Sequence, residues 1–496
     1  MKNKLSRGIL IITAGLLLFA GCTDETESEL PNFVVFLTDD LGYGELSCYG
    51  HPINKTPNLD RLAEQGVLLT DCHSAGTVCS PSRAGLLTGR HPYRSGFYYI
   101  ARGGKYLRDW EITIPELLKQ KGYQSAFIGK WHLSKLENPD EPDPGDQGFD
   151  YWLASSGNGK PGPRNPENMI LNGQALDVVE GWYCDVVVSE SIKWLKTVDI
   201  GKPFYLEICT HEPHTRIDPP DSLTAEFFDP DLMDKISGLK FGGISHSITD
   251  TLLGAAKYFA TVKQIDNAFG VLMKELERLD LDDNTLVLFT SDNGPEEPHN
   301  AFEGEWVKAY QSCFGTPGEL KGLKRYTYEG GHRVPGIVRW PGKIPAGTIS
   351  DKLFNATDIL PTICSLAEVE LPGDRAIDGE DMFEAFLNKP TFRKDPVLWA
   401  FPHWEDWWKE MPHIAMRTDS LVLMAWLPPM KEDDEDIEWL KSSIPERFEL
   451  YNIYKDPGQR NDIFSSDEEI TERLINELIK EWIEIRDEFK VDDGLR

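Results

Sequence analysis

The segment Cys79-Ser80-Pro81-Ser82-Arg83-Ala84-Gly85-Leu86-Leu87-Thr88-Gly89-Arg90 combines a nucleophile, a helix start and two arginines. Pro81 and Ser82 are typical of the first turn of a helix, so we predict a helix that begins beside Cys79. Free backbone N–H groups and the helix dipole favour negative charge at such a position. A lone cysteine is more often a core thiol, but this combination predicts chemistry on an oxyanion ester.

Strands and helices alternate through the first three quarters of the chain. Four short apolar runs predict buried parallel strands, at residues 33–38, 125–129, 204–209 and 286–290. Amphipathic segments and capping boxes, one of them from Ser466 to Glu469, predict helices between and after these strands, at residues 58–65, 115–121, 256–279 and 466–489. This alternation indicates an α/β fold with a large, mostly parallel central sheet flanked by helices. After Asp378 the alternation weakens, which indicates a smaller C-terminal α+β subdomain.

Polar residues follow each predicted strand at its carboxyl end. They are Asp39 and Asp40, then Lys130 and His132, then His211, and finally Asp292 and Asn293. Ligands bind at this edge of open α/β sheets, so we expect the groups to converge in one cleft. Acidic pairs after strands are more often helix caps, but the four oxygen-bearing side chains would suit a hard cation, calcium more readily than zinc.

Residues 79–90 contain every fixed position of C-x-P-S-R-x-x-x-L-T-G-R and resemble the signature of type I sulfatases, in the alkaline phosphatase superfamily. L-T-D-D-L-G-Y-G at 37–44 and T-S-D-N-G-P at 290–295 resemble the two metal motifs of that family. The resemblance extends from Asn32 to Pro341 and implies the alkaline-phosphatase-like fold. It also implies that Cys79 becomes formylglycine and that calcium binds Asp39, Asp40, Asp292 and Asn293, with the oxidised Cys79 side chain completing the shell.

Three further motifs resemble sulfatase motifs: G-K-W-H-L at 129–133, T-H-E-P-H at 210–214 and G-L-K-R-Y-T-Y-E-G-G at 322–331. The resemblance implies that Arg83 stabilises the nucleophilic alkoxide and that Lys130 and Lys324 hold the sulfate oxygens. His211 would protonate the departing alcohol, and His132 would take a proton from the second hydroxyl of the hydrated aldehyde.

Three positions depart from the family pattern. Arg325 and Tyr326 follow Lys324 where small residues are usual, so the pocket there is expected to differ. His332 replaces a β-branched apolar residue in E-G-G-x-R-V-P, where it would be either a substrate contact or a surface variation, and the surface interpretation is favoured.

The N-terminus has the layout of a secretory signal, with basic residues before an apolar run at 8–20. Phe19-Ala20-Gly21-Cys22 resembles a bacterial lipobox with phenylalanine in place of leucine. We therefore predict a signal peptide at 1–21, an acidic tether at 22–30 and a lipid anchor at Cys22. The catalytic domain would span 31–378 and the C-terminal subdomain 379–496, exported to the periplasm or outer-membrane surface of a Gram-negative bacterium.

Bulk composition excludes some partners. The formal net charge of −31 argues against nucleic acid, so an anionic substrate must be held by local cations in a cleft. No C-x-x-C motif occurs, which gives little support to a thiolate zinc site. Beyond Cys22 and Cys79 an even number of cysteines remains, with pairing undetermined: Cys48, Cys72, Cys184, Cys209, Cys313 and Cys364.

The expected function is hydrolysis of sulfate esters of a sulfated polysaccharide, after a formylglycine-generating maturase has modified Cys79. One alternative is a phosphonate or phosphate ester hydrolase of the same superfamily. The other is a non-catalytic glycan-binding lipoprotein that stacks sugars on Trp404, Trp407 and Trp408. Packing between the subdomains is the more common role for such tryptophans.

Overall fold

A ten-stranded sheet forms the centre of the computed structural model, which describes residues 30–100, 106–229, 231–232, 235, 252–296, 314–401, 412–430 and 435–488. The signal peptide, Cys22, Cys313 and Trp404, Trp407 and Trp408 lie outside these residues, and so does nearly all of the tether. In the described part, no helix is both long and apolar enough to span a bilayer.

The strands of the central sheet lie in the order β11-β2-β10-β9-β1-β8-β4-β5-β6-β7. Their bounds are β1 Asn32–Asp39, β2 Val67–Leu69, β4 Gln124–Lys130, β5 Tyr151–Ser155, β6 Ile170–Leu171, β7 Gln174–Ala175, β8 Phe204–Pro213, β9 Thr285–Ser291, β10 Gly336–Arg339 and β11 Thr348–Ser350. A separate pair is formed by β3 (Cys72–His73) and β12 (Phe354–Asn355).

The four predicted strands are the adjacent strands β9, β1, β8 and β4, and all their pairings are parallel. Phe33 of β1 stands opposite Tyr205 of β8 and Leu286 of β9. Because all three strands point the same way, the polar residues that follow them meet at one edge of the sheet. The prediction of a mostly parallel central sheet is confirmed.

Helices cover both faces of the sheet. Those that precede the smaller C-terminal sheet are α1 Pro57–Gln65, α2 Cys79–Thr88, α3 Ile114–Leu118, α4 Tyr183–Leu195, α5 Asp221–Phe227, α6 Leu252–Arg278, α7 Glu329–His332, α8 Ile359–Leu366 and α9 Phe383–Phe386. Successive residues of β1 point to opposite faces, so Val35 lies in one hydrophobic core and Phe36 in the other. Phe269 of α6 packs edge-on against Phe36, with ring centroids 5.3 Å apart. Burial on both faces explains why the strands read as continuous apolar runs.

A smaller sheet of four antiparallel strands forms the C-terminal part, as the sequence predicts. Its strands and helices are β13 Val397–Phe401, β14 His413–Thr418, β15 Leu421–Trp426, β16 Arg447–Asn452, α10 Asp436–Ser442 and α11 Glu468–Glu488. The predicted capping box at Ser466 is wrong: the Asp467 carboxylate accepts the Ile470 N–H at 3.1 Å, while the Ser466 hydroxyl donates to Ile463. The domain boundaries at 378 and 379 stay a prediction.

Candidate active site

The nucleophile position lies at the start of α2. The helix begins at Cys79 and ends before Gly89, whose φ of 68° forms a left-handed cap. Cys79 is 2% exposed, and its Sγ lies 3.6 Å from Asp39 Oδ1. Burial raises the pKa of the Cys79 thiol to about 12, although Lys130 and Lys324 act in the opposite direction. Because the thiolate is the reactive form of cysteine, an unmodified Cys79 would be a poor nucleophile here.

Four oxygen-bearing side chains converge beside Cys79, as predicted. Asp39 ends β1 and Asp40 follows it, and Asp292 and Asn293 follow the neighbouring strand β9. The Asp40 backbone turns through a φ of 64°, and its N–H donates to Asp292 Oδ1 at 3.2 Å. Asn293 Nδ2 donates to Asp40 Oδ1 at 2.7 Å. This bond turns the Asn293 carbonyl oxygen away, and Oδ1 is buried with no hydrogen-bond partner in the described structure.

Three buried cations surround the carboxylates. Arg83 donates through Nε and Nη2 to Asp292 Oδ2, at 2.9 and 2.6 Å, and through Nη1 to the Lys130 carbonyl at 2.7 Å. Lys130 Nζ pairs with Asp39, and Lys324 Nζ lies 2.8 Å from the Asp40 carboxylate. The arrangement combines anions that can hold a metal with cations that can hold an anionic substrate.

The carboxylates differ in their electrostatic environment. Burial alone would raise the pKa of Asp39, but Lys130, His214 and Arg83 outweigh it and hold that pKa well below its usual value. Burial and the negative charge of Asp39 raise the pKa of Asp292 to about 6. A divalent cation would relieve the repulsion between these anions.

The residues present fit a hard divalent cation. Ligand atoms of Asp39, Asp40, Cys79 and His214 all lie within 4.8 Å of one another. Asp292 and Asn293 add a third carboxylate and an amide oxygen beside this cluster, and calcium prefers such oxygen ligands. The unpartnered, buried Oδ1 of Asn293 is the expected state of a ligand oxygen whose partner is an ion rather than a hydrogen-bond donor.

His132 and His211 occupy different positions in the cleft. His132 follows β4 with a φ of 58°, and its Nδ1 has no partner among the described residues. Burial, Lys130 and Arg83 lower the pKa of His132 well below its usual value. His211 is fully buried in β8, and its Nδ1 accepts the Gly159 N–H at 2.9 Å. The His211 proton is therefore on Nε2, and burial followed by His214 lowers its pKa to about 3.

His214 is a site residue that sequence reasoning did not select. Its Nε2 lies 3.6 Å from Asp40 Oδ2, and its side chain is 14% exposed, whereas His211 is 0% exposed. The two rings are 6.2 Å apart. The signal lay in T-H-E-P-H, because β8 ends at Pro213 and the next residue emerges at the ligand-binding edge.

Of the departures from the family pattern, Tyr326 and His332 are buried, and the Arg325 side chain is 12% exposed. Arg325 has a φ of 79°, and its guanidinium pairs with Glu296, which also lies 3.5 Å from Lys324 Nζ. His332 is 0% exposed, so its interpretation as a surface variation is wrong. Its ring stacks on Trp399 at 3.9 Å and 12°, and its nitrogens bond to His73 and Thr327, so it does not face Cys79 either. The ring of Trp399 gives His332 the apolar contact that a β-branched residue would make at this position.

All six described cysteines are free, and Cys209 is fully buried in the core. Cys79 is the cysteine that lies among the metal-binding oxygens and the buried lysines. This arrangement is the one that the sequence resemblance predicts for hydrolases of the alkaline phosphatase superfamily, a class whose fold alone does not decide between sulfate and phosphate esters.

Comparisons with known proteins agree with that class. Residues 31–369 match the family model described as Sulfatase, and residues 322–488 match one described as N-sulphoglucosamine sulphohydrolase, C-terminal. The chain is 32% identical over 410 residues to N-acetylgalactosamine-6-sulfatase of Canis lupus familiaris, covering 77% of this chain and 70% of that relative. It is 31% identical over 467 residues to Arylsulfatase A of Homo sapiens, covering 86% and 82%.

Among solved structures, the one described as "Crystal structure of Ps i-CgsB" superposes with a TM-score of 0.74 at 24% identity, covering 93% of this chain and 94% of that one. The fold is therefore that of sulfatases. The chain belongs to the formylglycine-dependent sulfatase family of the alkaline phosphatase superfamily. It is a sulfuric ester hydrolase.

Proposed function

We propose that this protein removes sulfate from a sulfated carbohydrate, using a formylglycine formed from Cys79 and a calcium ion. The observation that carries the proposal is the position of Cys79 at the start of α2, with Sγ 3.6 Å from Asp39 and among the ligand oxygens. A carbohydrate substrate is supported by the similarity to N-acetylgalactosamine-6-sulfatase. Asp39, Asp40, Asp292 and Asn293 would hold the ion.

The reaction divides between the bound groups and the protein. When present, the hydrated aldehyde supplies an oxygen nucleophile and the cation stabilises negative charge on the sulfate oxygens. Lys130 and Lys324 hold the sulfate group from two sides and offset the charge that develops in the transition state. Arg83 holds the Asp292 carboxylate through two N–H bonds. His132 would take, at its unpartnered Nδ1, the proton of the second hydroxyl of the residue-79 hydrate, so that the bond to the sulfate oxygen breaks and the aldehyde is restored.

The departing alcohol needs a proton, and two histidines compete for that role. The buried Nε2–H of His211 is unpartnered, but the His214 ring is the one that reaches both Asp40 and solvent. A sugar attached to the sulfate must extend toward solvent, which favours His214. The role of His211 as the donor stays a prediction, and the same experiment tests both.

We expect His214→Asn to reduce turnover of a sugar sulfate by about 10²–10⁴-fold, because an alkoxide leaves poorly without a proton. Turnover of 4-nitrophenyl sulfate should fall much less, since nitrophenolate leaves without one. The measurement is kcat on both substrates, with His211→Asn as the matched variant. If His211→Asn shows the larger selective loss on the sugar sulfate, His211 is the donor and the assignment to His214 is wrong.

The proposed cellular setting follows from the N-terminal sequence. Export, cleavage before Cys22 and lipidation would place the enzyme on a bacterial membrane, where a foraging cell meets sulfated polysaccharides. A formylglycine-generating maturase would act on the chain during biosynthesis. The catalytic domain would be residues 31–378, joined to a C-terminal subdomain at 379–496.

The experiment that tests the function measures sulfate and phosphate by ion chromatography. Protein co-expressed with a maturase is incubated with sulfated saccharides and with phosphate and phosphonate esters. Sulfate release from one saccharide supports the proposal and identifies the sugar. Release of phosphate or phosphonate without sulfate would contradict the proposal and favour a phosphonate or phosphate ester hydrolase. Binding without turnover, by protein that carries the aldehyde, would favour the glycan-binding alternative.

A further inference from the structure

Two buried histidines that take no part in the proposed chemistry contact each other beside the active site. His73 ends β3, shortly before Cys79 in the chain, and His332 ends α7. Both side chains are buried, and their Nδ1 atoms are 2.9 Å apart. His332 also stacks on Trp399 of β13, so the pair lies where the C-terminal sheet meets the catalytic part.

Each ring presents its other nitrogen to an acceptor. His73 Nε2 is 2.8 Å from Asp71 Oδ1, and His332 Nε2 is 3.1 Å from the Thr327 carbonyl oxygen. A carbonyl oxygen can only accept. Asp71 is ionised: burial would raise its pKa, but the guanidinium groups of Arg417 and Arg333 hold that pKa well below its usual value. Both Nε2 atoms therefore carry a proton.

The contact between the two Nδ1 atoms needs one proton more than two neutral rings carry. A neutral imidazole has one N–H, and in each of the two rings that N–H is already at Nε2. Without another proton, the two Nδ1 lone pairs would face each other at 2.9 Å, which is the length of a hydrogen bond. Moving a proton from Nε2 to Nδ1 would instead leave a bare nitrogen against the Asp71 carboxylate or the Thr327 carbonyl. Every two-proton arrangement contains one repulsive contact.

We propose that His73 and His332 share a third proton as a singly charged pair, and that this pair positions the loops that carry Cys79 and Asn293. Burial opposes the charge: it lowers the pKa of His73 to about 4 against the opposite effect of Glu329 and Asp71, and it lowers the pKa of His332 to about 3, with Arg417 and Arg333 acting in the same direction. The hydrogen-bond geometry favours the charged pair, because a third proton between the two Nδ1 atoms removes the repulsive contact. The charged groups that face the pair are Asp71, Glu329, Arg333 and Arg417.

A metal ion is the competing occupant, because ligand atoms of His73, His332 and Glu329 lie within 4.8 Å of one another. Two nitrogens bound tetrahedrally to one zinc ion at about 2.0–2.1 Å would be about 3.3 Å apart, wider than the observed 2.9 Å. Arg417 Nη1 also lies 3.4 Å from both His73 Nε2 and Glu329 Oε2. This guanidinium would repel a divalent ion, so the structure favours the proton.

The pair is connected to both active-site loops through backbone bonds. The His332 carbonyl accepts the Ser74 N–H at 2.8 Å, and the Ser74 carbonyl accepts the indole N–H of Trp399 at 2.8 Å. The Gly331 carbonyl accepts the Gly294 N–H at 2.9 Å, directly after Asn293. A shift of α7 would therefore move the segment that leads to Cys79 and the loop that carries the Asn293 ligand oxygen.

The shared proton can be tested by whether the stability of the folded protein falls or stays constant as pH rises. Histidine in the unfolded chain has a pKa of about 6.5. If the folded pair holds an extra proton, unfolding above that pH releases it. The folding constant of the wild type relative to His332→Phe then falls as pH rises above about 6.5, by up to about tenfold per pH unit. If the rings are neutral, the same ratio is constant above pH 6.5 and falls on the acid side, which would overturn the proposal.

His51 provides the matched control. Its Nδ1 accepts the Asn54 and Ile53 N–H groups at 2.8 and 3.2 Å, so it is a buried histidine without a shared proton. Burial lowers the pKa of His51 to about 4. The wild type relative to His51→Phe should therefore lose stability as pH falls below about 6.5, opposite in sign to the His332 comparison.

Two measurements on the wild type need no variant. Histidine-selective ¹⁵N NMR at pH 7.5 should show one buried imidazole with both nitrogens protonated and hydrogen-bonded. Its absence would overturn the shared proton. Elemental analysis should find no zinc beyond background, and stoichiometric zinc that is lost in His332→Phe would replace the proton by a metal site.

The positioning role is tested by kinetics and rests on the proposed function, whereas the stability and NMR measurements do not. His332→Phe should lower kcat by about 10²-fold with little change in KM, because a misplaced nucleophile affects the reaction more than substrate binding. His332→Gln should restore most of kcat, since the two N–H groups of its amide can donate to His73 Nδ1 and to the Thr327 carbonyl without a shared proton. A wild-type kcat in His332→Phe, or no rescue by glutamine, would overturn the positioning role.

Discussion

Cys79→Ala is expected to abolish sulfate release, with a loss on the order of 10⁶-fold, the effect of removing the nucleophile from a covalent mechanism. Alanine cannot be converted to an aldehyde, and no other described cysteine lies among the metal-binding oxygens. The helix should survive the change, because Ala is a better helix former than Cys. Sulfate release is measured by ion chromatography after co-expression with a maturase, and peptide mass spectrometry reports the state of residue 79.

Cys364→Ala is the matched control, since Cys364 is also buried and free but lies in α8, outside the site. It should keep wild-type kcat within a few-fold, although the small cavity lowers stability by about 1 kcal/mol. Residual sulfate release by Cys79→Ala above about 1% of the wild type would contradict a nucleophile at this position. Aldehyde-free wild type with full activity would contradict the formylglycine.

Removing calcium is expected to reduce turnover by about 10³-fold, because a Lewis-acid cation supplies several kcal/mol of transition-state stabilisation. Calcium should restore the activity of chelated protein better than magnesium does, because calcium accepts oxygen ligands in flexible geometry whereas magnesium demands a near-ideal octahedron. The site also predicts a thermal readout that requires no substrate. Binding of calcium to the folded state alone raises Tm, as the carboxylates of Asp39 and Asp292 are relieved of their mutual repulsion.

Asn293→Leu sharpens this prediction, because it removes the buried Oδ1 that has no hydrogen-bond partner while keeping the side-chain volume. The variant should need a higher calcium concentration for half-maximal activity and show a smaller rise in Tm with calcium. Excess calcium should recover part of the activity, which separates weakened binding from misfolding. Unchanged calcium dependence of both kcat and Tm would mean that Asn293 is not a ligand.

Local pattern in the sequence was enough to predict the sheet and most of the site. Strands β9, β1, β8 and β4 are buried on both faces, so their apolar runs are unbroken and readable one strand at a time. Because parallel strands share a carboxyl edge, the residues after them had to meet. The helix at Cys79 and the pairs Asp39-Asp40 and Asp292-Asn293 follow from the same short-range signals.

The tertiary structure alone decided which of several similar side chains face one another. His211 and His214 are equivalent by local pattern, and only the end of β8 at Pro213 separates a buried ring from one that reaches Asp40. The local sequence favours a surface position for His332, because its partners, His73 and Trp399, are distant in the chain. A residue's neighbours in sequence determine its backbone, but its burial and protonation depend on groups that folding brings from elsewhere.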